Sequence, residues 1–141
     1  MDFGSINWLA VVVCVIVSMV SGTIWYNPKT FFPIWWKGIG KSGEPGTQGN
    51  MGMTWTLTIL SSLVQAVLMA LLVNALGDVL GDGPTLVTGA TTGLILWLGF
   101  VAPTYLVNKL FAGHGLQVWA IEIGNHLINF VLFGAILGAW R

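Results

Sequence analysis

Glu122, Asn125, His126 and Asn129 recur at i, i+3, i+4 and i+7. A helix through them carries a carboxylate, an imidazole and two amides on one narrow face. Glu122 and His126 are one turn apart and can pair directly. Two kinds of chemistry fit these residue types. A carboxylate and an imidazole can share and pass a proton, or bind a small cation or polar solute. Alternatively, the four side chains form a hydrogen-bonded core that fixes helix register. Residues able to meet such a face are Gln65, Thr91, Thr92, Tyr105 and Asn108. No metal is expected, because the pair supplies two ligands and His114 falls in a separate loop.

The surroundings decide how costly that face is. The chain has 141 residues, mean hydropathy +0.83, 55% hydrophobic and 7% charged. Soluble domains carry about 25% charged residues, so the expected solvent is lipid. A bare charge at the centre of a membrane helix costs at least about 2.5–3.5 kcal/mol on insertion scales. The face should therefore point into a bundle. Formal net charge is zero, which argues against nucleic acid as a partner. Cys14 is the single cysteine and can close no internal disulfide. Gly40-Lys41-Ser42 is not a phosphate loop, because that loop needs a glycine at position 35, where Trp35 stands. No serine or cysteine nucleophile has a visible partner, and no cofactor motif is present, so the chain does not read as an enzyme.

The elements follow from hydropathy. Spans are expected over about 6–26, 53–76, 85–109 and 116–140, each near the roughly 20 residues that cross a bilayer core. Met1-Asp2-Phe3 lacks a basic region, so the first run reads as a span and not a cleaved signal. Trp25, Tyr26 and Pro28 mark its exit. Over about 30–41, Phe32, Trp35, Trp36 and Ile39 share one helical face and Lys29, Lys37 and Lys41 another. This is the pattern of a short amphipathic helix lying in the interface. Residues 43–50 read as a polar loop. Seven of the eight tryptophans lie near span ends, where they would anchor the chain at headgroup level, and Trp97 alone is mid-span. Pro103 should kink the third span.

Small residues recur at packing intervals: Cys14, Ser18 and Gly22; Gly89 and Gly93; Gly134 and Gly138. Lys29, Lys37, Lys41 and Lys109 fall in the loops on one side, with Asp2, Asp78, Asp82 and Arg141 opposite. The positive-inside rule places the lysine-bearing loops in the cytoplasm and both termini outside.

The order Gly22-x-x-Trp25-Tyr26-x-Pro28, aromatics through Trp36, Gly40, Gly99-Phe100-Val101, Glu122-x-x-x-His126-Leu127 and Gly134-x-x-x-Gly138 resembles the bacterial membrane proteins grouped as domain of unknown function 1761. The likeness spans nearly the whole chain. It implies four helices and carries no activity with it. Where that family often has aspartate, this chain has Glu122, a difference of reach and not of charge. The expectation is therefore an all-α membrane protein in one domain, a four-transmembrane-helix bundle with a short interfacial helix after the first span. It would sit in a bacterial inner membrane as a scaffold or accessory subunit of a homo-oligomer or larger complex. The alternative is a proton-coupled transporter or ion-conducting oligomer using Glu122 and His126.

Overall fold

The computed structural model describes residues 3–41 and 51–140, and every regular element among them is helical. The polar loop expected over 43–50 lies outside the described residues, as do Asp2 and Arg141. After a single turn at Phe3–Ser5 come α1 (Trp8–Trp25), α2 (Phe32–Gly38), α3 (Met51–Leu80), α4 (Leu86–Leu96), a π-helical turn (Trp97–Val101), α5 (Ala102–Ala112) and α6 (Gly115–Ala139). α4, the π turn and α5 form one continuous rod. Four helices are thus long and apolar enough to cross a membrane: Trp8–Trp25, Gly52–Leu80, Leu86–Ala112 and Gly115–Ala139.

Local chemistry sets the ends. Asn7 caps α1 by accepting from the Ala10 N–H at 3.2 Å. Thr85 and Thr88 cap α4 reciprocally, each side chain accepting from the other's backbone N–H. The last carbonyls of α1 are met by one hydroxyl: Thr30 Oγ1 lies 2.8 Å from both Ile24 O and Trp25 O. That hydroxyl and the Phe31 N–H on Trp25 O (3.2 Å) close the compact turn through Pro28. Gly113 ends α5 at φ +77°, a left-handed conformation that glycine adopts freely. With His114 it returns α6 alongside α5.

Pro103 has no N–H to give Gly99 O. The chain responds with the π turn, where the Ala102 N–H reaches Trp97 O. The expected distortion is present, and its form is one inserted residue just before the proline.

Apolar packing is concentrated at one end. Ile6, just before α1, joins Val11 and Cys14 of α1, Met69 and Val73 of the second half of α3 and Phe133 of α6 in a buried cluster. α3 packs from Ser62 onward, and residues 52–61 are all exposed. α4 and α6 make the tightest seam. A Cβ at Gly89 would strike Gly134 O, and one at Gly134 would strike Gly89 O. At Gly93 it would strike Phe130 O, and at Gly138 it would strike Thr85 O. Gly22 differs, since a Cβ there would meet only Asn125 Oδ1, at 4.0 Å. On the same helix Ser18 is buried and hydrogen-bonds Ser62 of α3.

Candidate functional site

The polar face of α6 lies at the other end of the bundle, where α1 finishes and α2 crosses. Gly115 to Asn129 brings Glu122, Asn125, His126 and Asn129 round one side in just under four turns. The first three reach α1, α2 and α5 between them.

Glu122 Oε2 is 3.1 Å from Lys109 Nζ, with side chains 12% and 14% exposed. The same oxygen accepts from Trp35 Nε1 at 3.1 Å. One carboxylate thus joins α6 to α5 and to α2. His126 Nε2 instead pairs with Tyr105 Oη at 3.0 Å, with the two rings 5.0 Å apart. Asn125 Nδ2 donates to Ser21 Oγ of α1 at 2.8 Å. Asn129 is buried, and among the described residues its Oδ1 has no hydrogen-bond partner. Glu122 and His126, one turn apart, therefore take separate partners on α5.

Four indoles complete the arrangement. Trp25 Nε1 donates to Ile121 O, Trp97 Nε1 to Ile123 O and Trp119 Nε1 to Ala102 O, each at 2.8 Å. Trp35 is the fourth. These helix carbonyls have a second lone pair to offer beyond the backbone ladder. Trp25 lies across Gly124, where a Cβ would come within 2.6 Å of its ring. Trp97, mid-span in the sequence, faces α6. Trp8, Trp55 and Trp140 remain outward, at 52%, 52% and 40% exposure.

The interfacial segment behaves differently from a helix floating among headgroups. Its helical part is Phe32–Gly38, shorter than the expected 30–41. Phe32, Trp35, Trp36 and Ile39 are half-buried, while Pro33, Ile34 and Lys37 are exposed. The apolar face is therefore turned onto the bundle. Gly38 permits this, because a Cβ there would strike Val118 Cγ2. Aromatic contacts stiffen the segment: Tyr26 meets Trp35 edge-on at 5.2 Å, and Phe32 stacks on Trp36 at 5.3 Å. Lys41 Nζ lies 5.0 Å from the centre of the Trp36 ring.

Among the described residues, Tyr105 is the one expected partner that bonds to the polar face, and Gln65 does not. Thr91 and Thr92 donate to their own helix, at Val87 O and Thr88 O, and Asn108 is exposed. Sequence reasoning missed Lys109, Trp35 and Ser21 as partners. A cation in the last turn of α5, four residues before Gly113, was the available signal for Lys109. Among the described residues no three His, Cys, Asp or Glu side chains cluster as a metal site.

An all-helical bundle with four helices of membrane-crossing length, closed around a polar face on the last, defines the class. The family model described as "Protein of unknown function (DUF1761)" matches residues 9–138, and the chain belongs to that family. No curated protein and no solved structure gives a significant match.

Proposed function

We propose that this chain is a non-enzymatic, multi-pass protein of a bacterial inner membrane. In this reading it serves as a scaffold or accessory subunit and assembles as a homo-oligomer or within a larger complex. The observation that carries the reading is how the polar face of α6 is used: Glu122 holds Lys109 and Trp35, Asn125 holds Ser21, and His126 holds Tyr105. Three of the four residues suited to proton or solute chemistry are engaged in joining helices. The ion pair is neutral as a unit, which makes it tolerable at low dielectric. The exposed first third of α3, residues 52–61, supplies the surface for assembly in this reading. The lysines collect at the α2 end and Asp78 and Asp82 at the other, which supports a cytoplasmic α2.

The test is gentle extraction followed by sizing and identification of companions, together with proton and solute flux in liposomes. Glu122→Gln and His126→Ala are expected to loosen assembly and leave flux at the level of empty vesicles. Flux in the unaltered protein that Glu122→Gln abolishes, with assembly intact, would transfer the conclusion to transport. A cysteine placed at position 43 should resist membrane-impermeant labelling in intact cells.

A further inference from the structure

α1 and α6 are tied to each other at both ends and pack through Val11, Cys14 and Phe133, leaving a cleft on the outward flank between them. At one end Asn7 Nδ2 donates to Trp140 O at 3.2 Å. At the other, Asn125 Nδ2 holds Ser21 Oγ and Trp25 Nε1 holds Ile121 O, both at 2.8 Å. Between these ties lies an open-sided groove of about 390 Å³, walled by Ile16, Val20, Ser21 and Trp25 of α1 and by Ile128 and Leu132 of α6. Its walls are fixed before anything enters, so an occupant need not order them.

We infer that this groove seats one acyl chain of an anionic glycerophospholipid, whose phosphate meets the lysine-bearing end of the bundle. Three observations choose that occupant. First, the lining is aliphatic apart from Ser21 and the Trp25 indole, whose N–H is already engaged. Large side chains such as Ile16, Ile128 and Leu132 hold off a partner helix, which would need small residues to approach closely. Second, Ser21 lies about 6 Å below Trp25 along the helix axis, where the chain leaves the apolar run. Its oxygen accepts from Asn125, and a hydroxyl keeps one proton to donate. That is the depth at which a glycerol ester presents its carbonyl.

Third, Lys29 and Lys37 at the α2 end of the bundle have no acidic match among the described residues. Lys29 stands in the tight turn that Thr30 and Phe31 close directly over Trp25, and Lys37 follows on α2. Glu122 is already matched by Lys109. Among the described residues neither Lys29 nor Lys37 has an acidic partner.

The experiment is native mass spectrometry of the full chain in mild detergent, after equilibration with micelles holding equal phosphatidylglycerol and phosphatidylcholine. The unaltered chain should retain one lipid per copy and prefer phosphatidylglycerol. Val20→Trp, at a groove position 53% exposed, fills the groove and should remove the retained lipid with the helical circular dichroism unchanged. Ile16→Trp serves the same purpose should Val20→Trp fail to fold. Lys29→Gln with Lys37→Gln should leave one lipid bound but lower the phosphatidylglycerol preference by about fivefold per lysine. Equal retention of both lipids, no retained lipid, or undiminished retention in a folded groove-filled variant would each overturn the inference. So would a dimer of the unaltered chain that Val20→Trp dissociates, since the groove would then belong to a second copy.

Discussion

Substituting Gly134 by alanine adds one methyl group to the α4–α6 seam, directly against Gly89 O. The atom it meets belongs to a backbone, so no rotamer change can relieve the collision. The helices must separate by on the order of an ångström, and a gap of 0.5–1 Å already forfeits roughly a quarter to a half of each dispersion contact across it. Overpacking of this kind costs about 1–3 kcal/mol. Alanine returns about 0.5–1 kcal/mol through its lower backbone entropy. The balance is a loss of about 1–2 kcal/mol, or a fall of roughly 4–8 °C in melting temperature. Gly99→Ala is the internal control, because a Cβ there meets nothing within 4 Å. It carries the propensity gain without the collision and should be neutral or slightly stabilising. Gly89→Ala added to Gly134→Ala should cost less than the sum, because both enter a seam that has already opened. Thermal unfolding in one detergent, followed by intrinsic fluorescence, measures all five proteins, the unaltered chain and Gly89→Ala alone included. Equal melting temperatures for Gly134→Ala and Gly99→Ala would refute the packing argument.

Two further predictions concern the polar end. Trp35→Phe keeps the aromatic packing but removes the donor to Glu122, a charge-assisted hydrogen bond of about 1.5–3 kcal/mol. Faster hydrogen exchange over Phe32–Gly38, with α1 and α6 unaffected, is the expected signature. Lys109→Met leaves the Glu122 carboxylate without its cation. At 12–14% exposure the expected loss is about 2–3 kcal/mol, below the full cost of stranding a buried charge. Adding Glu122→Gln should recover at least half of it. A strictly additive double variant would mean the two side chains are not coupled.

Much of the architecture was legible because lipid-length apolar runs admit one physical answer. The four spans, the short helix after the first and the distortion near Pro103 follow from hydropathy and from the missing proline N–H. Glycine spacing pointed to Gly89, Gly93, Gly134 and Gly138, yet spacing cannot reveal which backbones face each other. Gly22 shows the difference, since it keeps the same interval and has room for a side chain. The tryptophans are ambiguous for a related reason. An indole near a span end can satisfy its N–H in the headgroups or on a neighbouring helix carbonyl, and sequence position is the same in both cases. Trp25 and Trp119 take the second option, and Trp35 donates instead to the Glu122 carboxylate.

Lys109 escaped notice for a geometric reason that the π turn explains. On a straight helix at about 100° per residue, Tyr105 projects about 120° and Lys109 about 160° from Gly93, away from the seam with α6. The π turn absorbs one extra residue at Trp97–Val101, rotating everything beyond it back by about 100°. Tyr105 then projects about 20° and Lys109 about 60° from Gly93, on the side that meets α6. The rod can therefore present glycines to α6 through α4 and a phenol and an ammonium through α5. Pro103 and the π turn are thus part of how the polar site is assembled. The same rod serves tight packing at one end of α6 and charge compensation at the other because its register changes once between them.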